Sequence, residues 1–375
     1  MGTPTNLLRR LAGITVACGI GLIFAECLLR LTMPMTWSSA SFVEDPDLGF
    51  RMRAGVTADG EPTNALGYND ADHATSKPDG TIRVAFVGDS YVFGAVPRAS
   101  NATSVVQRLA DAAGARIEVL NMGLPGAGPR NYVGILRKDA AGAHADLAVV
   151  MLFLGNDVLQ AHPDFDTRVW IGDARAVLAR PWVVGPSTDY ITVYRLARGT
   201  ARVLHERFVA HEGTFSQSTF EDVEWQHAAV FAKPPSAFVR AAYAGLIDAV
   251  RALRATARDR DIGLAIVLAP DQIQVERSLR DEVLHRFDAD IRDYDFDALS
   301  ARLARDVAAE GIPTLDLLPV LRAAESESLY ALRDTHWNAA GNAVAGEAMW
   351  QFIGRVLAEE EGVEPTRRDH ASRRL

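Results

Sequence analysis

A serine hydroxyl becomes a useful nucleophile only when a base takes its proton, and an imidazole held by a carboxylate is such a base. This 375-residue chain carries those types in Gly88-Asp89-Ser90 and, far downstream, in Asp334-Thr335-His336. Asp334 stands two residues before His336, close enough in a loop to accept the Nδ1 proton, fix the tautomer and stabilise the imidazolium. Gly123 and Gly155-Asn156-Asp157 lie between the two strings. The backbone amides of Ser90 and Gly123 and the side-chain amide of Asn156 are the candidate donors to the oxyanion of a tetrahedral intermediate. Gly123 has no Cβ to obstruct an approaching carbonyl. Asp89 and Asp157 are read as turn-stabilising, and Asp271 as a turn residue.

The elements that must position these groups can be read from the apolar pattern. Residues 82–87 form an apolar run that ends at Gly88, 117–120 a second, and 147–154 (LAVVMLFL) the clearest buried strand, apolar on both faces as a central parallel strand is. Residues 264–268 and 314–317 complete the set. Between them fall helical patterns at 101–113, with Asn101 as the cap, at 131–141, at 238–253, at 296–309 and after Asn338. This alternation predicts an α/β fold, a parallel sheet with helices on both faces. In such sheets ligands bind outside the carboxyl ends of the strands, which is where Ser90, Gly123 and Asn156 fall.

Composition narrows the function. The net charge is −9 with no long basic run, so a nucleic-acid surface is not expected. Both cysteines, Cys18 and Cys27, lie near the N-terminus, which leaves the body without a disulfide framework or a Cys zinc site. No His-x-x-x-His pair suggests a metal, and the GLPGAG turn lacks the G-x-G-x-x-G spacing of a dinucleotide site. No cofactor is therefore expected.

Residues 11–29 (LAGITVACGIGLIFAECLL) are broken only by Glu26, one turn from Arg30, and are close to the length that crosses a bilayer. Arg9 and Arg10 precede this stretch and acidic residues follow it. The expectation is a single-pass inner-membrane anchor with a cytoplasmic N-terminus and a periplasmic or otherwise outward-facing body. A cleaved signal peptide and lipidation at Cys18 are the alternatives. The domain plan is then an anchor over 1–32, an irregular arm over 33–80, a catalytic domain over 81–357 with an insertion at about 159–233, and a charged tail over 358–375. The insertion holds Trp170, Trp182, Tyr190, Tyr194 and Trp225, and is long enough to contain some helix and act as a lid.

With these motifs in order, the chain resembles the SGNH superfamily of GDSL-type esterases and acyl hydrolases. GDS at 88–90 resembles the nucleophile block, NMGLPG at 121–126 the second, GND at 155–157 the third and DTHW at 334–337 the last. The resemblance spans 82–357 apart from the insertion and implies a flavodoxin-like, three-layer fold. It also implies Ser90 as nucleophile, Gly123 and Asn156 as oxyanion donors, and Asp334 and His336 as triad partners. Two features depart from the common pattern: GDSY stands for GDSL, and one residue rather than two separates the acid from the histidine. Asp-x-His-Trp behind an anchor is similar to the branch of alginate O-acetylation proteins. That similarity implies acyl esters on a glycan or small molecule as substrate, with either hydrolysis or transfer to a polysaccharide hydroxyl. A carbohydrate-binding protein that merely keeps the fold is the remaining alternative.

Overall fold

The computed structural model describes residues 13–25, 28, 41–58, 61–165, 212–324 and 328–360. By backbone contacts the chain divides into two units, Met1–Ser39 with Arg168–His211, and Ala40–Thr167 with Glu212–Leu375. In the first unit, residues 13–25 and 28 are helical, and the large apolar side chains Ile14, Val16, Ile20, Leu22, Ile23 and Phe24 are exposed. Among the described residues, no helix is long and apolar enough to cross a membrane. Residues 11, 12, 26, 27 and 29 of the expected anchor lie outside the described set, as do 166–211 of the insertion and 361–375 of the tail.

The second unit begins with the arm. Its hairpin pairs β1 (Phe42–Asp45) with β2 (Gly49–Met52), and a two-residue ladder joins β3 (Thr57–Ala58) to β4 (Glu61–Pro62). The five strands that follow are β5 (Ile82–Gly88), β6 (Ile117–Gly123), β7 (Leu147–Phe153), β8 (Gly263–Ala269) and β9 (Thr314–Asp316). They form one parallel sheet in the order β6-β5-β7-β8-β9. All seven residues of β7 are buried, as a strand covered on both faces requires.

Side chains alternate across this sheet, so each face makes its own core. One face gathers Val84 and Phe86 of β5, Val149 and Met151 of β7 and Val267 of β8 with Met349, Phe352 and Val356. Those last three lie on the long C-terminal helix Ala339–Glu360, which packs beside the helix Ala102–Ala112. Asn101 caps the latter, its side chain accepting from Thr103 N at 2.9 Å. The amphipathic helix Ala237–Asp259 packs against β8 and the helix Pro129–Ile135, burying Ala242, Leu246, Val250 and Leu253.

The arm is tied to the amino end of the sheet by charge. Arg83 is fully buried on β5; its Nε donates to Glu118 of β6 at 2.6 Å, and its guanidinium also donates to the carbonyls of Ala74 (2.6 Å) and Ala143 (2.7 Å). His73 stands between Glu118 (2.8 Å) and Asp70 (3.1 Å). Hydrogen bonding to Asp70, against some cost of burial, raises the His73 pKa from 6.5 to about 9, with Glu118 adding to the effect.

Candidate active site

The strand registers bring the chemistry to one edge. Gly88 pairs with Gly123 across β5 and β6, and Phe153 with Ala269 across β7 and β8, so the turns that follow all four strands emerge together. Ser90 opens a single-turn helix, α1 (Ser90–Phe93), capped by Asp89, whose Oδ1 accepts from Tyr91 N at 2.9 Å. Gly88 is required there, because a Cβ would lie 2.5 Å from Val92 Cγ2. As the first residue of a helix Ser90 has a free amide: among the described residues nothing accepts from it.

His336 and Asp334 sit in the loop before the C-terminal helix. Tyr330 and Trp337 form a β-bridge across its base, Ala331 N donates to His336 O at 2.9 Å, and Asn338 Nδ2 donates to Tyr330 O at 3.1 Å. His336 Nδ1 lies 2.5 Å from Asp334 Oδ1 and Nε2 lies 2.8 Å from Ser90 Oγ. With Nδ1 protonated toward the carboxylate, Nε2 is left as the acceptor for the serine hydroxyl. Burial pushes the Asp334 carboxyl up, but hydrogen bonds from His336 and Thr214 and the imidazole's charge outweigh it and hold the group below the usual range.

Tyr91, the residue that replaces the leucine of GDSL, does more than fill space. Its ring stacks on Phe153 at 4.2 Å, meets Trp337 edge-on at 4.9 Å and lies 5.4 Å from the His336 ring. Its hydroxyl donates to the carbonyl of Thr335, between the acid and the histidine. The sequence marked Tyr91 only as a packing change, because nothing in the spacing reveals a partner 244 residues away.

The expected oxyanion donors fare differently. Asn156 Nδ2 donates to Asp89 Oδ2 at 3.2 Å, which orients the amide and leaves its second N–H unused. The Gly123 amide is engaged, donating to Asn121 Oδ1 at 2.9 Å, and it could serve an oxyanion only by breaking that contact. What demands a glycine at 123 is packing: a Cβ would lie 2.0 Å from Phe93 N and 2.6 Å from Val92 C. Three residues on, Gly126 sits at φ +78° in the same turn, and among the described residues its amide has no partner. Sequence spacing did not single out this free amide, because GLPGAG holds three glycines that spacing alone does not rank.

The acids take structural places. Asp89 and Asp157 are fully buried, and burial raises the pKa of each, that of Asp157 strongly. Asp157 accepts from Tyr132 Oη at 2.8 Å and Phe153 N at 2.8 Å, tying the end of β7 to the helix beneath it. Asp271 caps the short helix Gln272–Val275 through Ile273 N at 3.0 Å, the turn role expected of it. Its other oxygen lies 2.7 Å from His227 Nδ1, a contact sequence spacing did not indicate.

Residues 229–371 match the family described as SGNH hydrolase-like domain, acetyltransferase AlgX. The matched segment contains Asp334 and His336 and begins after Ser90, Gly123 and Asn156. No curated protein matches the chain in sequence. Among solved structures, it is similar to an acetylxylan esterase from Geobacillus stearothermophilus, crystallised as a catalytic mutant, at 15% identity and TM-score 0.41, over 73% of this chain and 95% of that one. It is also similar to a lipase/acylhydrolase from Enterococcus faecalis at 15% identity and TM-score 0.38, over 73% of this chain and 97% of that one.

Proposed function

We propose that this chain belongs to the SGNH superfamily, on the AlgX-like branch whose model matches residues 229–371, and that it is a serine esterase that removes acyl groups, acetyl foremost, from carbohydrate through a Ser90 acyl-enzyme. The observation that carries the reading is the unbroken relay from Ser90 Oγ through His336 (2.8 Å) to Asp334 (2.5 Å). Ser90 Oγ attacks the ester carbonyl as its proton passes to His336 Nε2, and Asp334 stabilises the imidazolium. The oxyanion is taken by the amide of Ser90, the unused N–H of Asn156 and the amide of Gly126. Collapse breaks the C–O bond to the alcohol, which leaves with the proton from His336. Water then attacks the acyl-serine, His336 again acting as base, and the acid departs with Ser90 restored.

A second reading has the same first half. The matched family is described as an acetyltransferase, which favours a sugar hydroxyl in place of water as acceptor of the acyl group. The exposed apolar side chains of residues 13–25 support a single-pass anchor, and Arg9 and Arg10 ahead of it support a catalytic domain outside the cytoplasm. The deciding experiment follows 4-nitrophenyl acetate with and without added oligosaccharide. Release of acetate alone supports the esterase, acetylated oligosaccharide supports the transferase, and turnover unchanged in Ser90→Ala defeats both.

A further inference from the structure

Behind the site, on the side of β7 and β8, three ionisable side chains converge for which the acyl chemistry has no use. Glu224 and His227 project one turn apart from the helix Gln217–Ala228, and Asp271 follows β8. Residues at i and i+3 share a helix face, the spacing by which a Glu-x-x-His pair presents two ligands to a metal in helical bundles. One ligand atom from each of the three lies within 4.8 Å of the others. Glu224 and Asp271 are fully buried.

Four buried polar atoms of this cluster have no hydrogen-bond partner among the described residues. Among the described residues neither Glu224 oxygen makes a hydrogen bond, nor does Asp271 Oδ2 or His227 Nδ1; the 2.7 Å approach of the last two is an ion-pair separation without hydrogen-bond alignment. Buried polar groups are hydrogen-bonded as a rule, and here two buried carboxyl groups face one imidazole with four of their polar atoms unpaired among the described residues. Other residues hold the cluster in place. Phe153 packs edge-on to the His227 ring at 5.7 Å, and Asp271 Oδ1 is fixed by its capping bond. Gly155 leaves the room that Asp271 Oδ2 occupies, since a Cβ there would lie 2.3 Å away.

We propose that Glu224, His227 and Asp271 form a binding site for one divalent first-row transition cation. One nitrogen and two carboxylate oxygens suit zinc or manganese better than magnesium, which prefers oxygen ligands and keeps its water. Three protein ligands leave a further position for water. Such an ion ties the helix Gln217–Ala228 to the end of β8 and, through the contact at Gly155, to the turn that carries Asn156. Its role is to fasten a helix of the insertion to the catalytic domain, independently of the reaction assigned to Ser90.

The test uses the full chain without a histidine tag, stripped with EDTA and then dialysed against Zn2+, Mn2+ or Mg2+. Elemental analysis of the dialysed protein should find one zinc or manganese per chain and no magnesium. Ligand at 100 times its Kd should raise the Tm by about 5 °C through mass action. Glu224→Gln keeps the shape of the side chain and removes its charge. That variant and His227→Gln should abolish both uptake and the Tm shift while melting normally in EDTA. If the wild-type chain takes up no stoichiometric metal, the cluster holds a shared proton instead and the proposal fails. Uptake that survives Glu224→Gln places the ion elsewhere and overturns it equally.

Discussion

The Tyr91 hydroxyl donates to the Thr335 carbonyl, so the residue after Ser90 holds the peptide that joins Asp334 to His336. Ser90 and His336 are thereby positioned by one side chain as well as by their own 2.8 Å contact. Tyr91→Phe keeps the stack on Phe153 and removes only the hydroxyl. It should lower kcat about tenfold with KM little changed, and lower stability by about 1–3 kcal/mol for the buried carbonyl left unpaired. A Tyr91→Phe enzyme with unaltered kcat would reduce the tyrosine to a packing role.

Replacing the triad should separate roles. Ser90→Ala should cost at least about 10³-fold in turnover and abolish fluorophosphonate labelling, with far-UV circular dichroism unchanged. Asp334→Asn should cost about 10⁴-fold, because the amide favours the wrong histidine tautomer. A Ser90→Ala protein that still labels would place the nucleophile elsewhere.

The oxyanion donors can be told apart. Asn156→Ala should lower kcat by about 10²–10³ with little change in Tm. In a crystal structure of the Ser90 fluorophosphonate adduct, the phosphoryl oxygen should accept from the amides of Ser90 and Gly126 and from Asn156 Nδ2. The Gly123 amide should remain on Asn121 Oδ1. Finding Gly123 turned toward the adduct would reverse the assignment.

The arm supplies a pH dependence. His73 has a folded pKa raised from 6.5 to about 9, so the protonated ring contributes stability that is fully present below about pH 6.5 and is lost as the pH rises through about 9. Wild type should therefore be more stable than His73→Gln at pH 6, by at most about 3 kcal/mol. Denaturant midpoints should converge above pH 9. A constant difference between pH 6 and pH 10 would show that the ring acts by packing alone.

Much of this arrangement is legible from the residues, for a physical reason. Parallel strands buried on both faces are continuous apolar runs, so residues 147–154 announce β7, and the polar string after each run marks the ligand edge. Asp334 and His336 are close in sequence, so their pairing is local. Contacts that depend on distant chain are not visible in this way. Asn121 competes for the Gly123 amide through a side chain that spacing does not orient, and Asp271 meets His227 from the end of another strand. Tyr91 and Thr335 meet only because the sheet closes the gap between them.

The relay joins residues 246 positions apart, with Ser90 just after the first strand of the sheet and His336 in the loop before the helix Ala339–Glu360. During synthesis Ser90 therefore emerges 246 residues ahead of His336. Under the proposed acyl chemistry, a partly made chain carries an unarmed hydroxyl until the loop that holds His336 has folded onto the sheet. The order of assembly makes the folded domain its own safety catch.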